Sequence, residues 1–273
     1  MVDDAQLPAL RDGAEDAARE AGALLLAGFR ADPSIRTKRT TSDLVTEHDE
    51  RCERLLRERL ASLLPEASVV GEEQGGDARA DLVWYVDPLD GTSNFAHGHP
   101  WFSTSIGLWR GETPLVGVVH APAMGLTYAA ARGHGLSRQG APARCSETAS
   151  LDAALLATGF AADRATRPDN NYREFVALDA VSHGVRRCAS AALELSLVAD
   201  GGYDGFWDRG LGPWDLAAGV LFVREGGGRV TDLEGGPVSL ERGEIVASNG
   251  PLHDALRNAL AHARALPPIV EVT

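Results

Sequence analysis

An apolar run that ends in acidic residues is the feature that most limits how this chain can fold. Residues 82–86 read Leu-Val-Trp-Tyr-Val, and Asp87-Pro88-Leu89-Asp90-Gly91 follows directly. Such a run predicts a buried strand, and the Asp-Pro pair predicts a turn at its end. A shorter strand is predicted at Ser68–Val70, and Gly71-Glu72-Glu73 follows it in the same way. The sequence therefore predicts a buried sheet with carboxylates at its strand ends.

Helices with one apolar face are predicted before and between these strands. Apolar residues recur at helical spacing from Leu7 to Phe29 and from about Glu47 to Leu64. Thr46 and Asp49 have the spacing of a capping box at the start of the second helix, with Asp in place of Glu. The polar segment Arg30–Ser42 is predicted to be a loop between the two helices.

Strands and helices are predicted to alternate along the rest of the chain. Further strands are expected at Ser103–Leu108, Leu115–His120, Leu126–Ala130, Leu155–Thr158, Val185–Cys188 and Ile245–Ser248. Further helices are expected at Tyr172–Ser182, Ala191–Asp200, Trp214–Arg224 and Leu252–Ala263, and a hairpin turn at Gln139-Gly140. This order predicts an α/β (α+β layered) fold. We expect a single domain over residues 1–273, with halves of about 1–140 and 150–273.

Charge and cysteine usage narrow the classes of function. The chain has 39 acidic and 26 basic residues and a formal net charge of −13, which argues against binding of nucleic acid or an anionic membrane surface. A substrate that carries phosphate stays possible if cations lie between the phosphate and the acidic residues of the protein. The three cysteines form no CxxC pair, and the first residues have no signal-peptide pattern, so a cytoplasmic protein is expected.

The acids at the predicted strand ends suggest a cation site. Glu72, Asp87 and Asp90 follow apolar runs, and Asp215 lies beside Trp214 at the start of an apolar helix. Each acid taken alone also fits a turn, a solvated loop or a helix cap. Together they would repel one another unless a divalent cation joined them, and oxygen ligands without Cys or His select Mg²⁺, Mn²⁺ or Ca²⁺ over zinc.

The residues after the acidic turn suggest an anion site beside that cation. Gly91-Thr92-Ser93 offers consecutive backbone N–H groups that suit a phosphate. The chain contains no GxxxxGK[ST] loop, and His97-Gly98-His99 is interpreted as a polar loop instead of a metal pair.

Four segments together match the pattern of a known family: Asp43–Asp49, Gly71–Glu73, Trp84–Phe95 and Trp214–Gly219. They resemble the inositol monophosphatase family, part of the lithium-sensitive, magnesium-dependent sugar-phosphate phosphatases that include fructose bisphosphatase. The resemblance covers nearly the whole chain and implies an alternating α-β-α-β-α sandwich and a homodimer. It implies hydrolysis of a small polyol phosphate, such as myo-inositol 1-phosphate, by in-line attack of a metal-activated water without a phosphoenzyme.

The same resemblance implies the metal ligands. Glu72, Asp87 and the Leu89 carbonyl would hold one Mg²⁺, and Asp87, Asp90 and Asp215 a second, with Mn²⁺ able to substitute. A third, weaker ion would lie near Glu72 through water. Li⁺ would inhibit the enzyme by competing with the second Mg²⁺ for its site.

Catalytic and substrate-binding residues are also implied by the resemblance. Asp49, Thr92 and Glu72 are expected to be catalytic, with Asp49 and Thr92 orienting the attacking water. Substrate binding is implied for Lys38, Asp90, Gly91, Thr92, Ser93, Ala189, Ser190, Ala191 and Asp208. Many members of the family have glycine in place of Ala189 and glutamate in place of Asp208, and Asp208 also fits a solvated acid beside Arg209.

The substrate stays open at this point. Histidinol phosphate, fructose bisphosphate and NADP are alternative substrates within the same class of phosphatase. A non-catalytic regulator on the same fold is an alternative of a different kind, which the net charge of −13 and the retained Asp49 and Thr92 disfavour.

Overall fold

The computed structural model describes residues 2–30, 35–37, 44–164, 166 and 169–263. Its helices are α1 (Leu7–Gly28), α2 (Glu47–Leu63), α3 (Thr92–Ala96), α4 (Tyr172–Asp179), α5 (Ala191–Ala199), α6 (Pro213–Glu225) and α7 (His253–Ala261). Its strands are β1 (Ile35–Thr37), β2 (Leu44–Thr46), β3 (Ser68–Gly71), β4 (Leu82–Asp90), β5 (Ser103–Arg110), β6 (Thr113–Ala121), β7 (Leu126–Ala131), β8 (Leu136–Arg138), β9 (Ala141–Ala143), β10 (Leu156–Thr158), β11 (Val185–Arg186), β12 (Gly205–Arg209), β13 (Arg229–Thr231) and β14 (Glu244–Ser248).

Two mixed sheets and three layers of helices alternate through the described part of the chain. A seven-stranded sheet has the order β3-β4-β5-β6-β7-β8-β9, and a five-stranded sheet has the order β11-β10-β12-β14-β13. Helices α1 and α2 pack on the outer face of the larger sheet, α5 and α6 lie between the sheets, and α4 and α7 pack outside the smaller one. The predicted α/β layered class is confirmed. Three apolar clusters join these layers. One lies between the outer helices α1 and α2 and the larger sheet, one surrounds α5 and α6 and reaches both sheets, and one lies between the smaller sheet and the helices α4 and α7.

The structure corrects four details of the sequence prediction. Strand β4 continues past Val86 to Asp90, with a bulge between Asp87 and Asp90. The segment predicted as a loop at 30–42 contains β1, which pairs antiparallel with β2. Helix α4 and strand β11 are shorter than predicted and end at Asp179 and Arg186. Strands β12 and β13 were not predicted, because they show neither alternation nor a long apolar run.

No helix within the described ranges combines the length and apolar character that crossing a membrane requires.

A buried histidine is expected to make the stability of the fold depend on pH. His253 is 0% exposed, and its ring nitrogens lie 3.0 Å from the Thr231 hydroxyl and 2.9 Å from the Ser248 hydroxyl. Burial lowers the pKa of His253 from 6.5 to about 4. The unfolded chain therefore takes up a proton first, so stability that is present above pH 6.5 is lost as the pH falls toward 4.

We expect the free energy of unfolding to fall by about 1 kcal/mol per pH unit between these values through this residue. Urea unfolding of the wild type and of His253→Gln at several pH values measures the effect. The variant should have the shallower dependence on pH, and equal slopes would contradict the prediction.

Candidate active site

Three carboxylates from two distant segments meet at one point. Asp87 and Asp90 come from the end of β4 and Asp215 from the first turn of α6, and one oxygen of each lies within 4.8 Å of the others. Burial, followed by the charges of Glu72, Asp90 and Asp215, raises the pKa of Asp87 well above its usual value. The pKa of Asp90 rises to about 6, mainly through burial. Buried oxygens that repel one another in this way fit a hard divalent cation, which removes the repulsion.

The bulge in β4 turns Asp87 and Asp90 to the same side. The Asp87 carboxylate accepts the Leu89 N–H at 2.9 Å, and Thr104 on β5 donates to the Pro88 carbonyl at 3.0 Å. The register of β4 against β5 shifts between the two acids. The sequence Asp-Pro-Leu-Asp therefore forms a bulge fixed by its own side chain and by the neighbouring strand, as bulges beside active sites often are.

Strand β5 positions the helix that carries Asp215. The Ser105 hydroxyl donates to the Trp214 carbonyl at 3.1 Å, and the Trp109 indole donates to the Ala217 carbonyl at 3.0 Å. Gly107, between them on the same face, lies directly against Ala217. The Asp215 carboxylate also accepts the Gly212 N–H at 2.7 Å. The helix-capping interpretation of Asp215 is thus compatible with its place in the acidic cluster.

A buried glutamate that the sequence analysis missed fixes the turn carrying Glu72. Glu53 on α2 is 0% exposed and accepts the N–H groups of Glu73 at 2.7 Å and Gln74 at 3.0 Å. It also accepts Arg57 Nε at 2.9 Å, and Arg57 donates to the Val69 carbonyl. These contacts join α2 to the turn after β3, and Glu72 thereby lines the same cavity as Asp90 and Asp215.

Asp49 and Thr92 meet next to the acidic cluster. Asp49 is 0% exposed, and the Thr92 hydroxyl lies 3.2 Å from its carboxylate and 3.0 Å from the Leu89 carbonyl. Thr92 has one hydroxyl hydrogen for these two acceptors. Its oxygen therefore keeps the capacity to accept a hydrogen bond from a molecule in the cavity.

A cavity of about 320 Å³ opens beside these groups and contains most of the predicted substrate residues. Its lining includes Asp90, Gly91, Thr92, Ser93, Ala189, Ala191 and Asp208. Ser190 is instead fully buried and donates to Asp90 at 2.7 Å, and Ala192 N–H donates to the same oxygen at 2.9 Å. Lys38, also predicted to bind substrate, lies outside the described residues.

Asp208 is a buried acid and not a solvated one. It is 4% exposed, and its Oδ1 accepts the Arg209 N–H at 2.7 Å. Its Oδ2 lies so close to Gly159 that a Cβ on that residue would stand 2.0 Å away. Glycine at 159 is therefore necessary for this carboxylate to occupy its place on the cavity wall.

Two further residues hold the turn that carries Ala189. Asn94 donates to the carbonyls of Trp101 and Cys188, each at 2.7 Å, and Glu194 accepts the Cys188 N–H at 2.8 Å. Ala189 has a φ of 61°, a left-handed conformation that L-residues rarely adopt. Glu194 is 1% exposed, and burial raises its pKa well above the usual value. The sequence signal that Glu194 has such a supporting role is its position as an acidic residue within the otherwise apolar helix α5.

A layered α/β fold whose strand-end carboxylates border a small polar cavity defines a phosphoric monoester hydrolase of the sugar-phosphatase type. The chain belongs to the inositol monophosphatase family, whose model matches residues 7–266.

The chain is similar in sequence to relatives with two kinds of name, inositol-1-monophosphatase and Nus factor SuhB. It is 43% identical over 250 residues to the inositol-1-monophosphatase of Synechocystis sp., covering 91% of this chain and 87% of that protein. It is 39% identical over 248 residues to the Nus factor SuhB of Pseudomonas aeruginosa, covering 88% and 91%. The solved inositol monophosphatase of Anabaena (Nostoc) superposes with a TM-score of 0.87 at 39% identity, covering 97% and 98%.

Proposed function

We propose that the chain is a Mg²⁺-dependent phosphomonoesterase that hydrolyses a small polyol phosphate, such as myo-inositol 1-phosphate, to the alcohol and inorganic phosphate. The proposal is carried by the carboxylates of Asp87, Asp90 and Asp215, which lie within 4.8 Å of one another beside the cavity. The name of the Synechocystis relative, inositol-1-monophosphatase, supports the choice of substrate.

The proposed cation ligands are the groups that already converge. Glu72, Asp87 and the Leu89 carbonyl would hold one Mg²⁺, and Asp87, Asp90 and Asp215 the second. Bound Mg²⁺ would make water more acidic, neutralise the phosphate and stabilise the leaving alkoxide. The raised pKa values of Asp87 and Asp215 support this assignment, because a cation offsets the cost of ionising them at these buried positions.

Asp49 and Thr92 are proposed to orient the attacking water. When the Thr92 hydroxyl donates to the Leu89 carbonyl, its oxygen can accept one hydrogen of a water, and the Asp49 carboxylate can accept the other. The water oxygen then forms the new bond to phosphorus while the bond to the alcohol oxygen breaks, and the alcohol leaves with a proton.

Backbone N–H groups at Gly91 and Thr92 are proposed to bind the phosphate. Gly91 has a φ of 95°, and a Cβ there would lie 2.9 Å from the Trp101 carbonyl oxygen. Only glycine therefore allows the chain to turn here between β4 and α3. This turn brings the proposed phosphate site beside Asp90.

A panel of phosphate esters tests the proposal. We expect phosphate release from myo-inositol 1-phosphate to require Mg²⁺, to stop with a chelator and to return when Mg²⁺ is restored. Comparison of kcat/KM with histidinol phosphate, fructose bisphosphate and NADP ranks the alternative substrates. Millimolar Li⁺ should inhibit. Absence of Mg²⁺-dependent hydrolysis with every ester would contradict the proposal and favour a non-catalytic role.

The assembly and location are part of the same proposal. We propose a cytoplasmic homodimer that contacts neither nucleic acid nor membrane in its catalytic role. Light scattering on the purified chain measures the mass in solution, and a monomer at micromolar concentration would contradict the dimer.

A further inference from the structure

One wall of the cavity lies where two parallel strands end. Strands β10 and β12 pair in parallel with Thr158 opposite Trp207, so the next residues, Gly159 and Asp208, follow at the carboxyl ends of both strands. Both residues line the cavity, and so does Phe160. In open α/β sheets, ligands bind outside the carboxyl ends of parallel strands. The relative position of these two strand ends therefore determines the shape of this wall.

The side chain of Asn171 joins the two strand ends. Its amide nitrogen donates to the Thr158 hydroxyl at 2.7 Å and the Gly159 carbonyl at 2.8 Å, and its oxygen accepts the Trp207 indole N–H at 2.6 Å. The Thr158 hydroxyl in turn donates to the Trp207 carbonyl at 2.5 Å. Because Asn171 is 3% exposed, these hydrogen bonds lie in a medium of low dielectric constant, where they are stronger than in water. One buried amide thus holds β10 and β12 together where Gly159 meets Asp208.

The spacing at this point allows little movement. The Asp208 Oδ2 lies so close to Gly159 that an inward shift of the Gly159 backbone would bring the two groups into collision, and an outward shift would open a gap beside the carboxylate. Phe160 follows directly, and its ring centroid lies 4.9 Å from that of Tyr172, the residue after Asn171. The wall is therefore coupled to the start of α4.

Helix α4 also holds the other side of Asp208. Glu174 is 0% exposed and accepts Arg209 Nη1 at 2.9 Å. Asn171 contacts the residue before Asp208, which is Trp207, and Glu174 contacts the residue after it. Both neighbours of Asp208 along β12 are thus held from the first turn of α4.

We propose that Asn171 is a positioning residue that sets the affinity for the alcohol half of the substrate by holding Gly159 and Asp208 in place. The inference rests on the proposed function, in which Asp208 contacts that half. The hydrogen bonds of the Asn171 side chain reach neither the proposed cation ligands nor Asp49 and Thr92. Its loss should therefore weaken binding of the ground state and the transition state equally, which raises KM and leaves kcat nearly unchanged.

Asn171→Asp tests this role with the smallest change of shape. Asn171 has a φ of 68°, a left-handed conformation that aspartate also adopts. Aspartate can still accept the Trp207 indole N–H, but it cannot donate to Thr158 or Gly159, and its second oxygen would repel the Gly159 carbonyl. We expect KM to rise about tenfold, with kcat within about twofold, for the polyol phosphate that the wild type hydrolyses with the highest kcat/KM.

Inorganic phosphate distinguishes the two ends of the cavity. It is proposed to bind at Gly91 and Thr92, away from the wall that Asn171 holds. Its inhibition constant against the same ester should therefore keep the wild-type value in Asn171→Asp. A variant that was merely less stable would lose apparent kcat through its unfolded fraction and would keep its KM, so the rise in KM identifies a positioning role.

Asn249→Asp is the matched control. Asn249 is also 3% exposed, and its amide donates to the Ser146 hydroxyl at 2.9 Å and the Thr148 carbonyl at 2.7 Å, but it does not line the cavity. Thermal unfolding should show a loss of stability in both aspartate variants, whereas Asn249→Asp should retain the wild-type KM. An equal rise of KM in this control would overturn the inference.

Variants of Thr158 provide an independent test if Asn171→Asp does not fold. Thr158→Val removes the hydroxyl that accepts from Asn171 and donates to Trp207, and it should raise KM in the same direction. Thr158→Ser keeps the hydroxyl and should restore a KM close to that of the wild type.

The outcomes separate this inference from the proposed function. If the wild type hydrolyses no ester, the proposed function fails and the inference fails with it. If the wild type is active and Thr158→Val and any folded Asn171→Asp keep its KM, the proposed function stands and the positioning role is refuted. A rise in the phosphate inhibition constant as large as the rise in KM would also refute it, because the change would then not be confined to the alcohol half.

Discussion

Asp90→Asn is expected to lower kcat by roughly 10³-fold while the chain still folds, because losing one ionic ligand removes several kcal/mol of transition-state stabilisation by the cation. Asparagine has nearly the same shape, and its carbonyl oxygen can still accept hydrogen bonds from Ser190 and Ala192. Burial raises the pKa of Asp90 to about 6, so a neutral side chain at this position also removes repulsion. Without Mg²⁺, the free energy of unfolding of Asp90→Asn should therefore be at least as large as that of the wild type.

Two measurements on the same variant distinguish a ligand from a structural acid. Phosphate release gives kcat, and thermal unfolding with and without Mg²⁺ gives the stabilisation by the cation, which should shrink in Asp90→Asn. Asp232→Asn is the matched control, because Asp232 is also 7% exposed and accepts the Gly236 N–H at 2.7 Å, but does not line the cavity. Wild-type turnover in Asp90→Asn would refute the ligand assignment.

The acidic centre could be predicted from sequence because its position follows from local rules. Apolar runs predicted the strands, and the residues directly after them had to lie at the strand ends, so Glu72, Asp87 and Asp90 were expected on one edge of a sheet. The structure confirms β3 and β4, and the charge of Glu72 raises the pKa values of the other two.

The groups that support this centre could not be predicted in the same way. Glu53 looks like one more charged residue on an amphipathic helix, and only the packing of α2 against β3 reveals that it holds the Glu72 turn. Strand β12 is buried from Gly205 to Asp208 between β10 and β14, both distant in sequence, so no alternating pattern marks it. Long-range packing, which a single sequence does not encode locally, determines both.

Glycines at Gly107 and Gly117 provide the clearest link between packing and the site. They face each other across β5 and β6, and together they form the surface on which α6 rests. A Cβ at Gly107 would lie 2.5 Å from the Ala217 Cβ and 2.8 Å from its backbone carbon, whereas at Gly117 the nearest atom is a ring carbon of Phe222 at 2.9 Å. A glycine within a strand often marks such a close approach of another backbone.

Gly107→Ala is expected to cost about 3 kcal/mol of unfolding free energy, because the helix backbone must move away from the sheet. The same shift displaces Asp215 from Asp87 and Asp90, so turnover should fall by about 10²-fold, as a misplacement of about 1 Å can produce. Gly117→Ala should cost less, about 1–2 kcal/mol, because its Cβ would meet a movable ring carbon of Phe222 at 2.9 Å and would reach the α6 backbone only at 3.1 Å, at the Ala218 carbonyl oxygen. Chemical denaturation and phosphate-release assays measure both effects.

Gly111→Ala separates backbone strain from packing. Gly111 lies just after β5 with a φ of 53°, and a Cβ there would meet no atom within 4 Å. Alanine at this position should cost about 1 kcal/mol through its left-handed conformation and leave turnover close to the wild type. If Gly107→Ala behaved like Gly111→Ala in both assays, the contact of β5 with α6 would not control the position of Asp215. If only turnover fell in Gly107→Ala, the helix would move without a loss of core packing, and the predicted coupling of stability to the site would be wrong.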